Sequence, residues 1–80
     1  MHRGVDYQFL EPMIMNILEE SPAPLQALTI NFKINEESGR IIDLNTIKTH
    51  LDKLVEKRKV LKKVKKKAKT THYEINRRSR

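Results

Sequence analysis

The spacing of the apolar residues changes near residue 58, and this change restricts the possible folds more than any other feature of the chain. Before it, apolar residues recur every three or four positions in one helical stripe, at Leu44, Ile47, Leu51, Leu54 and Val55. After it, Thr71, Tyr73 and Ile75 alternate with polar residues, as in a strand with one buried face. Helical spacing followed by strand spacing indicates an α+β protein.

Two further helices are predicted ahead of this stripe. Pro12 suits the first turn of helix 1, at about 11–20, because the missing N–H has no partner there. Pro22 and Pro24 end this helix in a rigid turn, with or without one short strand. Helix 2 is expected over 25–37.

The predicted apolar face of helix 2 starts at Leu25 and continues at i+3 and i+7 with Leu28 and Phe32, while Ile30 and Ile34 widen it. Gly39 offers the left-handed conformation in which many helices end. The sequence therefore predicts that the helix buries Leu28 and Phe32.

Helix 3, at about 43–57, carries the apolar stripe described above. The carboxylate of Asp43 is expected to cap the N–H group of Asn45 or Thr46. A β-hairpin is predicted at about 60–75, with a polar tip over 65–70. The expected architecture is thus three helices followed by a two-stranded antiparallel hairpin.

A chain of 80 residues has room for one domain. Residues 11–76 are predicted to form it, between an N-terminal segment at 1–10 and a mobile basic tail at 77–80. No apolar run approaches the roughly 20 residues of a membrane span, and no signal peptide is evident. The sequence predicts a cytoplasmic protein, associated with the nucleoid if the source is prokaryotic.

Basic residues are concentrated at the C-terminal end of the chain. Residues 1–56 hold 5 Lys or Arg and 9 Asp or Glu, a net charge of −4, whereas residues 57–80 hold 12 and 1, a net charge of +11. The predicted hairpin tip contains Lys65, Lys66, Lys67 and Lys69. A polyanion would relieve the self-repulsion of this segment and release counterions on binding. Nucleic acid is therefore the favoured partner, ahead of an anionic membrane.

Residues suited to metal, cofactor or catalytic chemistry do not occur in productive patterns. The lack of cysteine excludes a disulfide framework and a Cys-based zinc site. The three histidines His2, His50 and His72 have no metal-ligand spacing. Glu36 and Glu37 are adjacent on a helix and point about 100° apart, unlike a convergent acid–base pair. We expect neither an enzyme nor a bound cofactor, metal or small-molecule ligand.

The segment 43–61 reads Asp-Leu-Asn-Thr-Ile-Lys-Thr-His-Leu-Asp-Lys-Leu-Val-Glu-Lys-Arg-Lys-Val-Leu. It resembles the recognition helix and following strand of prokaryotic winged-helix transcription regulators, in which a capping residue precedes Thr-Val/Ile, then His-Leu and a further Leu. In similar regulators of the ArsR and MarR groups, DNA is contacted by the residues that match Asn45, Thr46, Lys48 and Thr49. The long connection 36–42 is more similar to the PadR group, so no subgroup is assigned.

Two features depart from these regulators. Arg58 and Lys59 stand where glycine is usual between the helix and the strand, so the turn must form without that residue. The paired Cys or His ligands of metal-sensing members have no counterpart here. The resemblance therefore does not imply that the chain senses an effector.

The resemblance and the charge pattern together predict a winged helix-turn-helix transcription regulator that binds double-stranded DNA sequence-specifically. Helix 3 would enter the major groove and present Asn45, Thr46, Lys48, Thr49 and Lys53. The hairpin, here called the wing, and the tail would contact the backbone through Lys65, Lys66, Lys67, Lys69, Thr70, His72, Arg77 and Arg78. His50, at the edge of the apolar stripe, is expected to be a packed or capping residue.

Apolar residues near the N-terminus bear on the oligomeric state. Met15 lies off the predicted buried face of helix 1, after Tyr7 and Phe9, which favours a homodimer contact over ordinary exposed apolar surface. Such a dimer would place two recognition helices about one DNA turn apart.

Two other functions stay open: a winged-helix module for protein assembly, and a basic protein that binds DNA or RNA nonspecifically.

Overall fold

A computed structural model of the protein describes residues 8–77 and shows an α+β fold with three helices and one antiparallel sheet. The elements in chain order are α1 (Leu10–Glu20), β1 (Leu25–Gln26), α2 (Ala27–Ser38), α3 (Leu44–Glu56), β2 (Val60–Lys65) and β3 (Thr70–Ile75). The sheet order is β1-β3-β2, so β3 is the central strand. Within this part of the chain, no helix has the length and apolar character needed to cross a membrane.

The sheet has three strands, one more than the predicted two-stranded hairpin. β2 and β3 pair from Val60 opposite Ile75 to Lys65 opposite Thr70. β1 pairs with the other edge of β3, and Leu25 lies opposite Tyr73. The prediction that helix 2 begins at residue 25 is therefore wrong by two residues. Pairing with β3 holds Leu25 and Gln26 in an extended conformation until α2 begins.

The core is formed by one cluster of apolar side chains from all three helices and the sheet. The buried members are Leu10, Ile14, Ile17, Leu18, Ala27, Ile30, Ile34, Ile42, Ile47, Leu51, Leu54, Val60 and Tyr73. α3 contributes the stripe that its sequence spacing predicts. Val60 and Tyr73 attach the hairpin to the helices through the same cluster.

The apolar face of α2 differs from the prediction. Leu28 and Phe32 are 62% and 65% exposed, whereas α2 buries Ala27, Ile30 and Ile34. Polar contacts also support this orientation of the helix. Asn31 Nδ2 donates to the Ile42 carbonyl oxygen at 2.7 Å, and the Ile42 N–H donates to Asn35 Oδ1 at 2.8 Å. These bonds hold the connection to α3 against α2 and bury Ile42.

The apolar residues predicted to form a dimer contact are largely covered by the domain itself. Met15 and Phe9 are half-buried and pack against the core, so Met15 does not lie off the buried side of α1. The Phe9 ring also lies 5.2 Å from the Arg40 guanidinium carbon, within cation–π range. Tyr7 lies outside the described residues. Helix α1 begins at Leu10, one residue earlier than expected.

Asp43 precedes α3 in an extended conformation, but its carboxylate caps no backbone N–H, contrary to the prediction. Asp43 Oδ2 instead accepts a hydrogen bond from the Thr46 hydroxyl at 3.2 Å. The Thr46 N–H donates to the Asp43 carbonyl oxygen at 3.1 Å, as in an ordinary first helical turn. The carboxylate therefore orders the start of α3 through a side chain rather than through the backbone.

The turn after α3 is built with Arg58 in the left-handed conformation, at φ 62°. The Lys59 N–H donates to the Leu54 carbonyl oxygen at 2.9 Å, and the Arg58 N–H donates to that of Val55 at 3.0 Å. This pair of bonds is the Schellman motif, which usually has glycine at the left-handed position. The expectation of a left-handed turn without glycine is thus realised at Arg58, with steric strain at its Cβ.

We predict that Arg58→Gly stabilises the protein by about 1 kcal/mol and raises its Tm by roughly 4–8 °C, since glycine removes this strain. Arg58→Ala is the control, because it removes the charge and keeps the Cβ. Thermal unfolding followed by circular dichroism would compare the three proteins. Equal Tm values for the glycine and alanine variants would contradict the strain argument.

Candidate nucleic-acid interface

The outer face of α3 is polar over its whole length. Asn45, Lys48, Thr49 and Lys53 are exposed, and they lie opposite the buried stripe of the same helix. Thr46 is half-buried, and its hydroxyl is bonded to Asp43. Four of the five residues predicted to form the recognition surface are therefore accessible on α3, and Thr46 supports the start of the helix.

The hydrogen-bonding capacity of these side chains differs. The Thr49 hydroxyl donates to the Asn45 carbonyl oxygen at 2.9 Å, so its proton is already used and its oxygen can accept. The Asn45 side chain makes no hydrogen bond within residues 8–77 and presents both a donor and an acceptor. His50 Nδ1 lies 2.8 Å from the Thr46 carbonyl oxygen, and its ring is half-buried, which agrees with the packed role predicted for it.

The hairpin carries the predicted lysines at the end away from the core. Lys65 ends β2, and Lys66, Lys67 and Lys69 lie in the exposed tip. None of these four has an ion-pair partner among the described residues. Lys63 differs, because its Nζ lies 2.7 Å from Glu74 Oε2. The accessible positive charge of the hairpin is therefore concentrated at its tip.

The other residues predicted for the wing and tail differ in their exposure. Thr70 and His72 are half-buried on β3, and Arg77 is exposed after it. The Nδ1 atom of His72 is buried and has no hydrogen-bond partner in the described part of the chain. The phosphate contact predicted for His72 would therefore have to use the other ring nitrogen, Nε2. Arg78 lies outside the described residues.

A groove of about 460 Å³ separates α3 from the hairpin. We call it the helix–hairpin groove, and it is lined by Gln26, Ala27, Leu28, Leu44, Lys48, Asp52, Lys62, Lys69, Thr70, Thr71 and Tyr73. The groove brings Lys48 of α3 together with Lys69 and Thr70 of the hairpin. It therefore joins the two predicted contact elements into one surface.

Several lining residues were not identified from the sequence. Asp52 follows Lys48 by one helical turn, so helical spacing could have placed it on the same side of α3. Lys62 lies opposite Tyr73 in the β2–β3 ladder, and side-chain alternation puts both on the groove side of the hairpin. Finding Lys62 requires the strand register, which the sequence alone does not provide.

The pKa of the buried Tyr73 hydroxyl is affected by its surroundings in the groove. Burial of the ring raises the pKa of the Tyr73 hydroxyl above its usual value, and the nearby negative charge of Asp52 raises it further. Tyr73 therefore stays protonated to higher pH in the folded protein than in the unfolded chain.

Among residues 8–77, no cluster of three or more His, Asp or Glu side chains could hold a metal ion.

Comparison of the chain with protein-family models, with curated proteins and with solved structures gave no match. The geometry and charge of the surface described above are therefore the features that indicate a function.

We predict that stability falls more steeply above about pH 10 in the wild type than in Tyr73→Phe. Above that pH the unfolded tyrosine loses a proton that the folded one retains, so the unfolded state becomes favoured. Urea unfolding between about pH 8 and pH 11 would measure this difference, with lysine titration common to both proteins. Parallel loss of stability in the two proteins would show that Tyr73 does not contribute.

Proposed function

We propose that this chain is a winged-helix module that binds double-stranded DNA sequence-specifically, as part of a transcription regulator and not as an enzyme. α3 would lie in the major groove, and the lysine-rich hairpin would lie on the phosphate backbone as the wing. The observation that carries the proposal is the helix–hairpin groove, because Lys48 on α3 and Lys69 at the hairpin tip line one concave surface.

The order and pairing of the elements support the winged-helix assignment. A helix and a short strand precede a helix pair, and a hairpin follows whose second strand, β3, also pairs with β1. α2 and α3 are joined by residues 39–43 and share the core, as expected for a helix-turn-helix pair. The second helix of such a pair is the one that reads the major groove, and here it carries Asn45 and Thr49 on its outer face.

Charge supports a polyanionic partner for the same surface. The lysines of the hairpin tip and Lys48 have no ion-pair partners among residues 8–77, so their positive charge is available to phosphates. Phosphate contacts orient a protein on DNA but carry little sequence information. Reading of the sequence would therefore depend on the polar groups of α3, of which Asn45 can pair with adenine and Thr49 can accept a hydrogen bond.

A second candidate function, protein assembly, is favoured by one observation. Leu28, Phe32 and Ile41 are exposed, and Ile41 is 97% exposed although Ile42 beside it is buried. Phe32 and Ile41 line a common surface cavity, and Leu28 lies one turn before Phe32 on α2. Exposed apolar surface of this kind often marks a protein contact. A homodimer would be expected to use these residues rather than Phe9 and Met15.

Replacing Asn45 or Thr49 with Ala should remove roughly 1–3 kcal/mol of discrimination at particular base pairs and leave nonspecific binding nearly unchanged. The measurement is selection of a preferred duplex, followed by competition titrations with each variant. Asn16→Ala, on the exposed side of α1, is the matched control. Absence of a preferred duplex, or an unchanged preference in both variants, would leave assembly or nonspecific binding as the better proposal.

The affinity for duplex DNA should fall steeply with salt, by a slope near −0.9 in log K against log salt for each phosphate that is neutralised. Changing Lys65, Lys66 and Lys67 together to Ala should flatten this slope and weaken binding to all sequences alike. The control is the equally charged triple change of Lys33, Lys57 and Lys59 to Ala, which removes one lysine from α2 and two from the turn between α3 and β2.

A hairpin-tip variant with the slope of the wild type would show that the wing does not contact the backbone. Equal flattening in the control variant would show that only total charge matters. Titrations with single-stranded DNA and with RNA under the same conditions would test the nonspecific alternative.

A further inference from the structure

Two adjacent lysines of β2 have different surroundings although they are identical in sequence terms. Lys62 lies opposite Tyr73 in the ladder and lines the helix–hairpin groove. Lys63 lies opposite His72, on the other face of the hairpin, and forms the ion pair with Glu74. The charge of Lys62 is therefore directed to the groove, while that of Lys63 is matched by a carboxylate.

Lys62 faces a second lysine across the groove. Lys48 projects from α3 into the same space, and Lys69 lines it from the hairpin tip. None of the three has an ion-pair partner in the described part of the chain. Like charges brought together in this way repel each other, and an anion seated between them would turn this repulsion into attraction.

The groove also contains one negative charge. Asp52 lines it one helical turn after Lys48, and its carboxylate is near enough to Tyr73 to affect the pKa of the hydroxyl. No lysine nitrogen lies within ion-pair distance of Asp52 among the described residues. An anion in the groove would be attracted by Lys48 and Lys62 and repelled by Asp52.

We propose that the helix–hairpin groove is a phosphate clamp, in which Lys48 and Lys62 hold one phosphodiester group of the DNA backbone from opposite sides. This inference depends on the DNA binding proposed above and specifies where one strand passes. Thr71, which lies on the same face of β3 as Tyr73 and lines the groove, supplies a hydroxyl donor for a phosphate oxygen. Asp52 opposes the phosphate and limits how tightly the clamp binds it.

A phosphate that is shared by two lysines can be recognised from the salt dependence of the DNA affinity. The salt slope counts neutralised phosphates, and one remaining lysine still neutralises a phosphate that two lysines held. Lys62→Ala and Lys48→Ala should each weaken duplex binding by about three- to tenfold and leave most of the slope. The double variant should make the slope less negative by about 0.9, because the phosphate is then left without a cation.

Lys63→Ala is the matched control, since it removes the neighbouring lysine from the same exposed strand. It should change affinity and slope much less than Lys62→Ala. Asp52→Asn provides a change of opposite sign, and we expect it to strengthen binding to all duplexes by a similar factor. A variant that is merely misfolded cannot bind more tightly, so this measurement separates electrostatics from damage. Circular dichroism of every variant verifies the fold.

Four results would overturn the clamp. Equal effects of Lys62→Ala and Lys63→Ala would mean that the face of the hairpin is irrelevant. A loss of about 0.9 in slope from each single variant, and about 1.8 from the double, would indicate two separate phosphate contacts. Unchanged affinity in Asp52→Asn, or a changed preference at one base pair, would show that no phosphate lies in the groove beside Asp52.

The clamp and the proposed function fail in different ways. If the wild type does not bind duplex DNA, both fail. If it binds a preferred duplex but shows any of the four results above, the proposed function stands and the clamp is rejected.

Discussion

The hairpin is attached to the end of α3 by hydrogen bonds from Asn76. Its side-chain amide donates to the Arg58 carbonyl oxygen at 2.9 Å, and its N–H donates to that of Lys59 at 3.0 Å. Both acceptors belong to the turn between α3 and β2, while Asn76 follows directly after β3. The two ends of the hairpin are thereby tied to the end of the helix. Val60, which follows Lys59, is buried in the core and extends this attachment into the sheet.

The helix–hairpin groove lies between α3 and the part of the hairpin beyond this attachment. At the attached end the helix and hairpin share the core, and at the other end the exposed tip extends away from it. The groove side of the hairpin faces α3, so the side-chain alternation of β2 decides which lysines face the helix. A small change in the turn would alter the separation of Lys48 and Lys62 without changing either side chain.

Sequence reasoning located α3 and the hairpin well and α2 poorly, for physical reasons. α3 has one unambiguous stripe, whereas α2 has apolar residues around much of its circumference, including Leu28, Ile30 and Phe32. The face that becomes buried also carries the bonds of Asn31 and Asn35 to Ile42, which hydrophobic spacing does not reveal. β1 was not identified as a strand because it has two residues and its partner is far away in the sequence.

The candidate site was predictable to a similar extent. The exposed positions of α3 follow from helical spacing, so Asn45, Lys48 and Thr49 could be named in advance. Lys62 and Lys63 could not be distinguished without the register of β2 on β3, and a count of basic residues assigns both the same role. The enclosed Nδ1 of His72 is likewise a product of tertiary packing.

The sheet order has a consequence for how the protein behaves at high concentration. β2 is an edge strand, so one row of its backbone N–H and C=O groups has no strand beside it within residues 8–77. Such edges can recruit strands from other molecules and begin aggregation, and lysines along an edge oppose this by mutual repulsion. β2 carries Lys62, Lys63 and Lys65, and the opposite edge, β1, has only two residues. The lysines of β2 therefore also protect the sheet from edge-to-edge association with other copies.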